Sequence, residues 1–193
     1  MKRICVFMGS SPGARPVYAE AARDLGRLLV ERGLELVYGG SKTGLMGEAA
    51  DTVLAAGGSV HGVMPRALVN AGIAHEGLTA THVTENMHER KALMSDLSDG
   101  FIALPGGIGT LEELFEIFTW SQLGFHGKPL ALLNVDGYYD GLTTFLSHAV
   151  EERFLKQAHK DALILEKDAR TILDAFAVYK PQVEAKWIDR KQA

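Results

Sequence analysis

The chain predicts a three-layer α/β fold: a doubly wound parallel sheet, Rossmann-like in its winding, with helices on both faces. Short runs almost free of polar residues, such as residues 4–8, 101–104 and 130–135, read as strands covered on both sides. Between them lie longer stretches with apolar residues at helical spacing. The loops at residues 9–13, 39–47 and 105–110 are rich in glycine and hydroxyl side chains, and each follows a strand. Parallel topology therefore puts all three on the carboxyl edge of the sheet. No linker or repeat interrupts the alternation, so the 193 residues divide into one domain, 1–180, and a tail of mixed charge, 181–193.

Each element has a local reason. Residues 4–8 form an apolar strand that opens into Gly9-Ser10-Ser11-Pro12-Gly13. Pro16 suits a first helical turn, and Tyr18, Ala22, Leu25, Leu28 and Leu29 recur at helical spacing until Gly33 ends the segment. A second strand, 34–38, leads into the glycine loop 39–47 and a helix through Ala56. Lys42-Thr43 in that loop lacks the glycines of a triphosphate-binding loop, and that reading is rejected. A third strand covers 59–64, an irregular stretch 65–79 and a short strand 81–84. The helix 86–98 starts at Asn86, with Glu89 three residues on as a capping box. After the central strand 101–104 come a helix to about residue 123, a strand 130–135, a helix 138–154, an edge strand 162–165 and a closing helix 169–179.

Composition narrows the function classes. A net charge of −4 offers no basic field, which disfavours nucleic acid and anionic membrane as partners. No apolar stretch approaches the roughly 20 residues of a membrane span. Cys5 is the one cysteine and has no intrachain partner, which suits a small buried hydrophobe in a reducing cytoplasm. The seven histidines are scattered, no His/Cys/Asp cluster has metal-ligand spacing, and no cofactor is expected.

The loop 105–110 carries the chemistry that can be read from residues alone. Its glycines allow close backbone approach, and the following helix begins with unpaired N–H groups at the positive end of its dipole. That suits an anion such as phosphate; the alternative is a tight turn with no ligand. Two charges stand in unexpected places. Arg90 falls within an apolar stripe of Met87, Met94 and Leu97, so it needs a carboxylate or phosphate partner unless it snorkels to water, and Lys91 beside it could reach the same anion. Glu113 either closes a capping box with Thr110 or places a carboxylate near the sugar of a bound nucleotide, while Glu112 and Glu116 read as solvated. Leu111, Leu114, Phe115 and Phe118 form one apolar side of this helix, and Ile117 and Trp120 extend the line of Glu113. The second side packs on another subunit or on a neighbouring helix.

Residues Pro105-Gly106-Gly107-Ile108-Gly109-Thr110-Leu111-Glu112-Glu113 match the PGGxGTxxE signature of the LOG family, phosphoribohydrolases that activate cytokinins. The resemblance extends to Cys5-Val6-Phe7-Met8-Gly9-Ser10-Ser11, to the loop from Gly39 to Gly47, to Met87-His88-Glu89-Arg90-Lys91, and to Leu133-Asn134-Val135-Asp136-Gly137-Tyr138-Tyr139. Ser41 departs from a frequent glycine and Met8 from a frequent cysteine. The resemblance implies cleavage of the N-glycosidic bond of a nucleoside 5'-monophosphate, a cytokinin riboside monophosphate or AMP, to free base and ribose 5-phosphate. It implies Arg90 and Glu113 as the essential pair, and a homodimer. Substrate contacts are expected from Gly9, Ser10, Gly40, Met87, Lys91, Gly106, Gly107, Ile108, Gly109 and Thr110. Members of this family often carried a lysine decarboxylase label, but neither a Schiff-base lysine context nor an acidic diamine pocket is identifiable here. The competing expectations are a nucleotide-binding or carrier protein without turnover, and a scaffold that binds no nucleotide.

Overall fold

The computed structural model describes residues 1–181. The strands are β1 (Arg3–Phe7), β2 (Glu35–Tyr38), β3 (Val60–Pro65), β4 (Ala80–Thr84), β5 (Gly100–Ala103), β6 (Leu130–Leu133) and β7 (Leu163–Glu166). Between them run α1 (Pro16–Glu31), α2 (Gly44–Ala55), α3 (Arg66–Asn70), α4 (Met87–Leu97), α5 (Ile108–Leu123), α6 (Asp140–Glu151), α7 (Gln157–Asp161) and α8 (Ala169–Ala177). All neighbouring strand pairs are parallel, and the sheet order is β4-β3-β2-β1-β5-β6-β7. The chain winds outward from β1 in one direction and from β5 in the other. The order therefore reverses between β1 and β5, and the loops after these two strands open the crevice where such sheets take ligands.

Alternation along the strands divides the core in two. Ile4, Val6, Leu36, Tyr38 and Ile102 pack against α1, α2 and α8, whereas Cys5, Phe7, Val37, Phe101 and Ala103 pack against α4, α5 and α6. The central strands β1, β2, β5 and β6 are apolar nearly throughout because helices cover both faces. Tyr18, Ala22, Leu25, Leu28 and Leu29 of α1 are all buried, as the spacing predicts.

Several boundaries differ from the sequence expectation. The stretch after β3 contains the one-turn helix α3, and α7 forms in a segment with no helical periodicity. The expected helix 138–154 begins later, at Asp140, because a 3-10 turn over Val135–Gly137 bends the chain through positive φ at Asp136 (48°) and Gly137 (75°). Asn134 fixes that turn, its Oδ1 accepting the Tyr139 N–H at 2.8 Å and its Nδ2 donating to Asp140 at 2.7 Å. The expected C-terminal tail beyond Pro181 lies outside the described residues.

Candidate active site at the switch point

Three loops meet at the crevice, and the tightness of their contacts explains the residue types. The Gly9 N–H donates to the Pro105 carbonyl at 3.1 Å, tying the loop after β1 to the loop after β5. A Cβ on Gly106 would lie 2.1 Å from Thr110 Oγ1 and 2.8 Å from the Gly9 nitrogen, so only glycine fits between the loop and the helix it feeds. Gly44, with φ +61°, sets the start of α2 against the Ser10 backbone, where a Cβ would come within 2.3 Å of the carbonyl carbon. From the far side, the Tyr138 hydroxyl donates to the Gly106 carbonyl and the Tyr139 hydroxyl to the Leu104 carbonyl, both at 2.6 Å. A cavity of about 290 Å³ opens between these loops, lined by Gly9 to Gly13, Tyr18, Leu45, Pro105 to Gly107 and Tyr138.

Helix α5 starts from Gly107 as N-cap, and no side chain caps it. The first-turn N–H groups of Ile108, Gly109 and Thr110 are thus left for an anion at the positive end of the helix dipole. This register also rules out the capping box at Glu113. A capping box needs its glutamate three residues after the N-cap, and that position is Thr110, so Glu113 sits a full turn inside the helix.

Glu113 instead meets Arg90. The Arg90 guanidinium donates from one terminal nitrogen to Glu113 Oε1 at 2.5 Å and from Nε to the Val63 carbonyl at 2.9 Å. The two side chains are 8% and 12% exposed, so a paired charge lies in the seam between α4 and α5. Gly39 makes room for it, since a Cβ there would stand 2.4 Å from the Arg90 guanidinium. Burial pushes the Glu113 carboxyl above its ordinary value, and Arg90 opposes that rise.

The structure brings together Gly9, Ser10, Gly106, Gly107, Ile108, Gly109 and Thr110 at the rim, with Arg90 and Glu113 one turn away along the α4–α5 seam. Gly40, at φ +80°, turns the loop after β2 against Met64. Two expectations need correction. Met87 lies not in the apolar face but 43% exposed, and Lys91 does not share the anion of Arg90. Lys91 is buried and pairs with Glu112 and, at 3.1 Å, with Glu116, so those carboxylates are not simply solvated. Through these pairs the Glu113 end of the second side of α5 meets α4 of the same chain, while Trp120, farther along that line, stays partly exposed. Sequence reading missed Gly39, Val63, Tyr18 and Tyr138. Gly39 and Tyr138 carried a signal, as part of the resemblance.

Among the described residues no group of three or more His, Cys, Asp or Glu side chains is placed to hold a metal ion, and no helix is long and apolar enough to cross a membrane. The fold and rim define the class: a doubly wound α/β protein with a glycine-rich cradle at its switch point. Residues 46–176 match a family model described as "Possible lysine decarboxylase". The chain is 49% identical over 180 residues to the cytokinin riboside 5'-monophosphate phosphoribohydrolase LOG5 of Arabidopsis thaliana, an alignment covering 93% of this chain and 79% of that protein. It is 48% identical to the probable cytokinin riboside 5'-monophosphate phosphoribohydrolase LOGL3 of Oryza sativa subsp. japonica, covering 93% and 85%. The chain therefore belongs to the LOG family. In fold it is similar to the molybdenum cofactor binding protein of Rippkaea orientalis, with TM-score 0.69 and 24% identity over 92% of this chain and 96% of that one.

Proposed function

We propose that the protein is a phosphoribohydrolase that cleaves the N-glycosidic bond of cytokinin riboside 5'-monophosphates, and of AMP, to release free base and ribose 5-phosphate. The observation that carries this reading is the buried Arg90–Glu113 pair one turn below an uncapped helix start, in a chain 49% identical to a phosphoribohydrolase. The 5'-phosphate sits on the N–H groups of residues 107–110, with Gly9 and Ser10 closing the cradle. The ribose then extends along the first turns of α5 toward Glu113. Breaking the bond to the base builds positive charge on the sugar, as in glycoside hydrolysis. With Oε1 held by Arg90, Glu113 Oε2 is the oxygen that faces this cation or orients the attacking water. Arg90 fixes the carboxylate in place, so the electrostatic stabilisation needs no reorganisation at the moment of reaction. Phosphate binding at a distance positions the scissile bond.

We further propose that the enzyme works as a homodimer in the cytoplasm. Supporting this are the half-buried Leu111, Phe115 and Trp120 on α5 and the exposed Met87 and Ile108 beside the rim. The test of the reaction is chromatographic detection of free base after incubation with AMP, N6-prenyl-AMP and adenosine. Base should appear from the two monophosphates and poorly from adenosine. Tight binding of AMP with no base released would overturn the enzymatic reading in favour of a carrier.

A further inference from the structure

A second charged cluster lies beside the proposed catalytic pair, and the reaction as described makes no use of it. Lys91 follows Arg90 on α4, its side chain only 7% exposed, and its ammonium group contacts Glu112 Oε1 and, at 3.1 Å, Glu116 Oε1. The two carboxylates are adjacent to Glu113 and one turn beyond it on α5. Glu116 Oε2 is buried and makes no hydrogen bond. Burial opposes the charge on Lys91, yet Glu112 and Glu116 outweigh burial and hold the ammonium above its ordinary value. The seam thus carries two rungs, Arg90 with Glu113 and Lys91 with Glu112 and Glu116, and the second rung has one more negative than positive charge.

We propose that Lys91 is a positioning residue for the reaction: it clamps Glu112 and Glu116 to α4, so that Glu113 meets Arg90 and the substrate with its neighbouring negative charge largely compensated. The inference rests on the phosphoribohydrolase reading. The charged and titratable groups acting on Glu113 are Arg90 and Lys91 from α4, Glu112 from its own helix, and Cys5 from β1, with Glu116 joined to them through Lys91. Cys5 contributes no charge, because burial, and after it Glu113, pushes its thiol well up. Lys91 and Arg90 therefore favour the carboxylate form of Glu113 while Glu112 disfavours it. Exposed Lys–Glu pairs contribute little, but this lysine is buried, and charge interactions in a partly dry seam are screened less.

The discriminating experiment titrates the Glu113 carboxyl by carbon NMR in glutamate-labelled full-length protein, its resonance identified by its loss in Glu113→Gln. The pH profile of kcat on AMP is recorded alongside. In Lys91→Met the Glu113 titration and the acid limb of kcat should both move to higher pH by about half a unit or more, since two carboxylates lose their counter-ion. In Glu112→Gln both should move to lower pH. Glu112 is 49% exposed, so this variant should fold and decides the matter even where Lys91→Met does not. A lysine that only packed would leave both titrations in place. Identical Glu113 titration in the unmodified protein and in Glu112→Gln overturns the proposal. A Glu113 titration that moves as stated in a protein releasing no base upholds the electrostatic coupling and overturns the reaction instead.

Discussion

Glu113 separates stability from activity within one side chain. Its carboxyl is raised above the ordinary value of 4.5, first by burial, so its ionisation costs folding free energy. That cost is absent below the unfolded-state value and fully present above the folded one, so at neutral pH the fold bears it. Glu113→Gln relieves that cost but leaves the buried Arg90 without its counter-ion, with only an amide oxygen to accept its hydrogen bond, so the melting temperature should fall modestly, while kcat drops by on the order of a hundredfold or more, the scale of losing one preorganised electrostatic group. Because the carboxylate is the active form, kcat of the unmodified enzyme should decline on the acid side at a pH above 4.5. Arg90→Ala acts differently: it strands a buried carboxylate and the Val63 carbonyl, at a stability cost of roughly 3–5 kcal/mol. It should also lower kcat, and the double variant should be little worse in kcat than either single one. Near-normal turnover of AMP by Glu113→Gln would remove Glu113 from the mechanism. Arg90 is legible in the sequence as a charge within an apolar stripe, and Glu113 as a carboxylate close to the start of the helix that follows the glycine loop. Their pairing is not, since helical periodicity says nothing about which helix lies opposite. For the same reason the sequence places Lys91 within reach of the anion of Arg90 but does not show that its partners are Glu112 and Glu116.

At the level of elements, the sheet is fastened at the edge opposite the site by Glu35, the first residue of β2. Its Oε2 accepts from Arg3 Nε at 2.6 Å and faces His61 Nε2 at 3.0 Å, and its Oε1 stands 3.3 Å from Lys2 Nζ, so one carboxylate joins β1, β2 and β3. The Arg3 hydrogen bond leads in lowering its pKa to about 2; burial opposes the shift, and Lys2 and His61 reinforce it. A depressed carboxylate contributes stability that is complete above its unfolded value of 4.5 and is lost as pH falls toward about 2. Glu35→Gln should cost on the order of 1–2 kcal/mol at pH 7, and urea unfolding should show the two proteins converging as pH falls through that window. A constant difference between pH 7 and pH 3 would mean the residue acts by packing alone. The strands and long helices here could be read from sequence because burial on both faces, or on one stripe, leaves an apolar period. The helices α3 and α7, of five residues each, are too short to show one. The start of α6 is set by Asn134 hydrogen-bonding around a turn at Asp136, a contact that no periodicity announces.

For the whole molecule the open question is what covers the outer side of the α4–α5 layer. Within the chain, α5 already buries Thr110, Leu114, Ile117 and Phe118, and its other flank is occupied by the charge pairs with α4. Leu111, Phe115 and Trp120 pack on the core yet are only partly buried, and Met87 and Ile108, 43% and 82% exposed, stand at the rim. A stable dimer needs about 1,200–2,000 Å² of buried surface with an apolar centre. Two copies meeting through this layer would supply that centre and would bring the rim of each chain against the other, shielding the developing charge at Glu113 from water. Sedimentation at micromolar concentration should therefore show a dimer. Trp120→Glu should shift it toward monomer, with circular dichroism retaining the helical signal and turnover of AMP falling with assembly. A monomeric unmodified protein that hydrolyses AMP at full rate would show that the site is complete within one chain, and that Met87 and Ile108 are exposed for the substrate rather than for a partner.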